Sequence, residues 1–260
     1  MQKIIYTNMY GESIEFDSSG GALTLEEIDA NSLGTTVATS KNAGQDGQTT
    51  TGITFNAKDI RCKLGIKGMQ NGRWSRAEYD ALWRQLTETI LPHQFGLMTY
   101  INDSGSYQIE CYPQEITQPE HKSGEYYTLT LDFIADWPFW QSSFEQQISI
   151  SPGQSAAINN PSGIDMPLTI IITGSASDVK LLNEATGEFL RMAQSLADGA
   201  KLTVDTKKFK ARLDDGTLAN YKLASNSTYL RIPHGTSKLS LTSNGVQPIK
   251  IKYRQIYLGV

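Results

Sequence analysis

At 260 residues, with 39% hydrophobic and 19% charged residues, the chain is long enough for two ordinary domains and apolar enough to bury a core, which excludes a disordered protein. No stretch approaches the roughly 18 consecutive apolar residues of a membrane span, and the opening Met1-Gln-Lys-Ile-Ile-Tyr-Thr-Asn8 lacks the apolar run of a signal peptide, so the expectation is a protein made in a reducing cytoplasm. The net charge of −4 divides into −8 over residues 1–140 and +4 over residues 141–260, and no cluster of Lys and Arg interleaved with aromatics marks a sequence-specific nucleic-acid site.

Lys3 to Phe16 alternates apolar and polar residues around a turn at Tyr10-Gly11 and reads as an opening hairpin. Residues 31–52 are dominated by Gly, Thr, Ser, Asn and Gln and predict a long loop, mobile unless a partner orders it. Strands resume from about Ile53 to Lys67. Ser75-Arg-Ala-Glu78 is then a capping box, and Tyr79, Leu82, Trp83, Leu86 and Ile90 form one apolar stripe before Pro92, which predicts a helix over about 75–91. Leu97–Ile101, Tyr107–Ile116 and Tyr126–Phe133 read as strands joined by hairpin turns at Asn102–Gly105 and His121–Gly124. Beyond Trp140 only short strands are expected, about nine between Glu145 and Leu258, with turns every 8 to 12 residues. The fold class is therefore mainly β: an N-terminal antiparallel β domain with one helix over residues 1–140, and a C-terminal β-sandwich of jelly-roll type over residues 141–260.

Chemistry leaves little trace. There is no Gly-x-Ser-x-Gly elbow, phosphate loop, dinucleotide fingerprint or Cys-x-x-Cys, so no catalytic residue, cofactor site or metal site is assigned and an enzyme is not expected. His93, His121 and His234 lie far apart beside turns or prolines. Cys62 and Cys111 sit at apolar positions of alternating strands and read as small core residues. Asp132 and Asp136 flank an aromatic segment and are the pair to weigh for glycoside hydrolysis, although a solvent-facing strand residue and a turn cap before Pro138 are the preferred reading of them. The basic run Lys207-Lys-Phe-Lys-Ala-Arg212 reads as the wet face of a strand. Tyr221, Tyr229 and Tyr253 are candidates for stacking on sugars in the alternative reading of a carbohydrate-binding, lectin-like or receptor-binding module.

The segment Leu131-Asp-Phe-Ile-Ala-Asp-Trp-Pro-Phe-Trp140 carries two of the four tryptophans and ends in a proline-broken aromatic run. Phe133, Asp136, Trp137, Pro138, Phe139 and Trp140 are taken as the domain junction, with the aromatics wedged between the domains. An N-terminal β domain with one helix, this junction and a C-terminal sandwich together resemble the distal tail proteins of long-tailed, non-contractile bacteriophages. Asp136-Trp-Pro-Phe-Trp140 is similar to their Asp-Pro-Phe-type junction, with a tryptophan inserted between the Asp and the Pro. The resemblance implies a virion protein at the tail tip and a galectin-like C-terminal sandwich. It implies a homo-hexameric ring between the tail tube protein and a tail-associated adsorption or baseplate hub protein, near the tape-measure protein, with receptor-binding proteins attached in some phages. It also implies that segment 31–52 is an arm or loop ordered against a ring neighbour or the tube, and that acidic residues line a lumen through which DNA passes without being gripped.

Overall fold

The first strand shows how the chain begins to fold: Ile4, Tyr6 and Asn8 face one way and are buried, while Lys3, Ile5 and Thr7 between them stay half-exposed. The structure, a computed structural model, describes residues 2–70, 73–123, 126–245 and 247–260. The expected turn at His121–Gly124 falls partly outside them, at Gly124. Two compact units are present, residues 1–143 with 257–260, and residues 144–256.

The first unit contains β1 (Lys3–Asn8), β2 (Ser13–Asp17), β3 (Leu23–Asp29), β4 (Thr35–Ser40), β5 (Thr49–Phe55), β6 (Lys58–Lys67), β7 (Met69–Gln70), β8 (Arg73–Trp74), α1 (Arg76–Thr89), β9 (Gly96–Asn102), β10 (Gly105–Ile116), β11 (Glu120–Ser123), β12 (Tyr126–Ala135) and β13 (Trp140–Ser142). β12 pairs with β6 along its whole length and with β10 through residues 131–134, so the order β12-β6-β3-β2-β1-β9-β10 returns to its start as a seven-stranded barrel. Closure removes the sheet edges that an open antiparallel sheet would expose. A bulge between Pro113 and Glu115 bends β10 where it turns onto β12. Side chains such as Ile4, Phe16, Leu64, Met98 and Phe133 fill the interior.

Helix α1 is 14 residues long, against the 75–91 expected. Ser75 Oγ accepts from the Glu78 N–H at 3.4 Å, which is the serine half of the capping box. The helix packs on β2 and β6 through Tyr79, Leu86 and the following Ile90. Cys62 and Cys111 are free thiols in the barrel core, and burial pushes the Cys62 thiol up to about 12, out of the nucleophilic range.

The second unit contains β14 (Gln146–Ile150), β15 (Ser155–Asn160), β16 (Met166–Thr173), β17 (Lys180–Asn183), β18 (Phe189–Arg191), β19 (Lys201–Asp205), β20 (Lys210–Leu213), β21 (Arg231–Ile232), β22 (Gly235–Thr242) and β23 (Ile249–Tyr253). One sheet runs β14-β23-β16-β19-β20 with β21 also on β16, and the other runs β15-β22-β17-β18. Ile170, Leu202, Val204 and Ile251 of the first and Ile158, Leu181, Leu239 and Leu241 of the second are buried, so each sheet has one dry face and the pair forms a sandwich. Strand β15 was not expected, because Ser-Ala-Ala-Ile-Asn-Asn offers one large apolar side chain and no alternation. The long run expected over Pro248–Leu258 breaks at Arg254-Gln255, and its last piece, β24 (Ile256–Tyr257), joins the edge of the first unit's sheet beside β13. Residues 141–143 likewise stay with the first unit, because Gln141 and Ser142 pair with β10.

Gly96 is one place where barrel packing is tight against backbone: a Cβ there would lie 2.7 Å from the Thr7 carbonyl oxygen and against the ring of Tyr6. Gly96→Ala is therefore expected to destabilise the first unit by about 1 to 3 kcal/mol, measured by urea unfolding. A Gly52→Ala control, where nothing lies within 4 Å, should stay within about 1 kcal/mol.

Candidate interaction site

Residues 31–52, expected as a loop, fold instead into most of a β-hairpin. Thr, Val and Ile suit extended backbone even without burial, and β4 pairs with β5 from Thr35↔Phe55 to Ser40↔Thr49. Gly44 and Gly47, at φ of 79° and 78°, make the connection. Every residue of both strands is exposed. Val37 and Ile53 are cross-strand partners, 49% and 64% exposed, and with Phe55 they give one face of this arm an apolar stripe. A lone two-stranded hairpin is marginal in water, so its feet must hold it.

Those feet are Ala30 and Lys58, and both are buried. The Ala30 carbonyl accepts from the indole Nε1–H of Trp140 and from Nζ of Lys58, each at 3.2 Å. Nζ donates at the same distance to the carbonyl of Leu258. Asn31 adds a reciprocal pair with Val260, donating from Nδ2 at 3.0 Å and accepting at Oδ1 at 2.9 Å. Asn56 N–H donates to the Gly34 carbonyl and Thr36 Oγ1 to Asn56 Oδ1, which ties the two strands where they leave the barrel. Burial lowers the pKa of Lys58, opposed by the nearby Asp29 carboxylate.

The junction residues fall around this clamp. Phe133 is a barrel residue in contact with Tyr6, their ring centroids 5.5 Å apart. Asp136 is exposed, and Pro138 is buried. Trp137 meets Phe139 edge to face at 5.1 Å, and Phe139 meets Phe55 of the arm in the same way at 5.1 Å. Trp140 is fully buried in the first unit's own core, 6.1 Å from Tyr100. A wedge between domains was expected of these aromatics. Phe139 and Trp140 make the ring contacts just given within the first unit, where β13 continues the barrel sheet. The sequence reading missed Lys58, whose neighbours in Asn-Ala-Lys-Asp give no sign of burial, and residues 257–260, which no local pattern brings back to the barrel.

The other candidates do not assemble. Asp132 forms a two-point ion pair with Arg61, at 2.7 and 3.1 Å. The cleft of about 420 Å³ beside it is lined by Asp29, Asp59 and Asp132 but not by Asp136. His93, His121 and His234 are all exposed, and among the described residues no three His, Cys, Asp or Glu side chains group as metal ligands. Tyr221 stands 60% exposed on a 3-10 turn, Tyr229 lies against Phe209, and Tyr253 is half-buried on β23.

Two family models match the chain in series: the phage tail protein RIFT-related domain over residues 11–135, and the siphovirus-type tail component, C-terminal domain, over residues 163–257. No curated protein sequence matches it. Among solved structures it is similar to the Dit protein of phage SPP1, described as a hub adsorption apparatus, with a TM-score of 0.73 at 14% identity over 99% of both chains. It is also similar to a chain of the phage P2 baseplate in its activated conformation with calcium, with a TM-score of 0.58 at 12% identity over 100% of this chain and 99% of that one.

Trp140→Ala is expected to cost the first unit about 3 to 5 kcal/mol, and Lys58→Met about 1 to 3 kcal/mol, because the Ala30 carbonyl loses one of its two donors and the Leu258 carbonyl loses its lysine partner. Between the lowered pKa of Lys58 and the ordinary value of 10.5 the unfolded chain binds more protons. The stability difference between the wild type and Lys58→Met should therefore move in the wild type's favour as the pH rises towards 10.5. Chemical denaturation at stepped pH measures both.

Proposed function

This chain is a member of the distal tail protein family of siphovirus-type phages, a structural component of the tail, and from that premise we propose that it forms a sixfold ring at the tail tip. The ring joins the tail tube protein to the adsorption or baseplate hub protein, next to the tape-measure protein, and DNA leaves through its lumen. The observation that carries this reading is the arm: a hairpin held at its feet by buried hydrogen bonds, yet exposed along both strands. Such a device makes sense only if something else covers it. An arm on one copy seated on a different surface of the next is a heterologous contact, which closes a sixfold ring when each step turns by a sixth of a circle and otherwise runs on as a filament. The surplus of carboxylates in the first 140 residues, 18 against 10 Lys and Arg, supports a lumen that repels phosphate and so conducts DNA without holding it.

The test is the oligomer. Mass photometry and negative-stain imaging of the full chain, alone and mixed with its tube protein, should show sixfold rings. Replacing residues 35–55 with a short Gly-Ser turn should abolish them while the monomer's circular dichroism and thermal transition persist. Monomers in both mixtures, or rings that survive loss of the arm, would contradict the reading.

A further inference from the structure

The outer face of the second unit's larger sheet holds a cleft of about 570 Å³ over β16, β19 and β20. Strand register places its side chains in rows: Thr169, Asp205 and Lys210 lie side by side, and Thr203 sits beside Arg212 in the next row. Across the two strand spacings from Thr169 to Lys210 the cleft is roughly 10 Å wide. Its floor thus offers hydroxyls and a carboxylate, and one wall is the cationic set Lys208, Lys210 and Arg212. The basic run of the sequence is this wall.

Between the lining residues Lys208 and Lys210, but not itself lining the cleft, stands Phe209, with two unusual properties. Its φ is +54°, in the left-handed region that a bulky side chain seldom occupies, and its side chain is 52% exposed. A glycine or asparagine would hold that turn with less strain. The ring is also held in place, edge to face with Tyr229 at 5.5 Å and under the Arg231 guanidinium at 5.0 Å. Strain of this kind persists where it serves a site.

What can bind there is limited by the edge of β20. Its outward backbone groups are already used: Ala211 N–H donates to Asn220 Oδ1 at 2.6 Å, the Ala211 carbonyl accepts from Ala219, and Leu213 N–H donates to the Thr217 carbonyl. No peptide strand can add to this edge through main-chain bonds. A single aromatic is a poor platform for the successive bases of a nucleic acid. We propose that the cleft is a binding site for an anionic saccharide. Phe209 stacks on a sugar ring, Thr169, Thr203 and Asp205 take its hydroxyls, and Lys208, Lys210 and Arg212 hold a carboxylate or other anionic substituent.

Calorimetric titration of the full chain compares a tetrasaccharide of alternating glucuronate and N-acetylglucosamine with uncharged chitotetraose. The charged sugar should bind at least about tenfold more tightly, and added salt should erode that difference. Phe209→Gly, which relieves the left-handed strain, and Lys210→Ala should each weaken binding at least about fivefold without lowering the Tm. Equal binding of the two sugars, or full binding by Phe209→Gly, overturns the proposal. So does a fall in the Tm of Phe209→Gly, which would make the ring a packing residue. Equal competition by an oligoglutamate of the same charge also overturns it, because the face would then read charge and not sugar.

Discussion

The Ala30 carbonyl, with its two donors, is the point on which the anchoring of the arm depends. A buried carbonyl must be satisfied, and here an indole N–H and a lysine ammonium share it. One donor comes from the strand that follows the barrel, and the other stands at the arm's return foot and also reaches residues 257–260. Three distant pieces of chain are thereby tied where the arm begins. Each donor ties a different piece of chain to the same carbonyl, so losing one frees that piece while the other still satisfies the carbonyl. The barrel supplies a rigid base because its sheet closes on itself, and the arm can be long and polar because its own stability is not asked to hold it.

The same economy explains the aromatic run from Trp137 to Trp140. Trp140 completes the barrel core, Phe139 meets the arm at Phe55, and Trp137 backs Phe139. Pro138, without an N–H to give, ends the β12 ladder and lets the chain turn back into β13. The series of rings is thus a buttress for the foot of the arm.

Much of the fold was legible in the sequence because period-two alternation is a local signal: β1, β6, β9, β10 and β12, and most sandwich strands, fall where the pattern put them. The helix was legible from Ser75, Glu78 and its apolar stripe. Closure of the barrel was not, since β10 meeting β12 is a long-range pairing. The arm was misread as a loop because its strands are exposed on both faces, and alternation needs a buried face to appear. Lys58 was missed for a related reason: a lysine's burial depends on which carbonyls the fold brings to it. Phe209 looked like one apolar residue in a basic run, and only its backbone angle sets it apart.

The central claim is that the arm is anchored at its feet and uncovered along its length until another subunit meets it. Amide hydrogen exchange, read by mass spectrometry on the free chain and on intact phage tails, tests this directly. The account predicts that in the free chain residues 35–55 exchange fast while β6, paired with β12 from Lys58 onward, is protected, and that in tails the arm becomes protected as well. An arm already protected in the free monomer, or one that still exchanges freely in assembled tails, would contradict it.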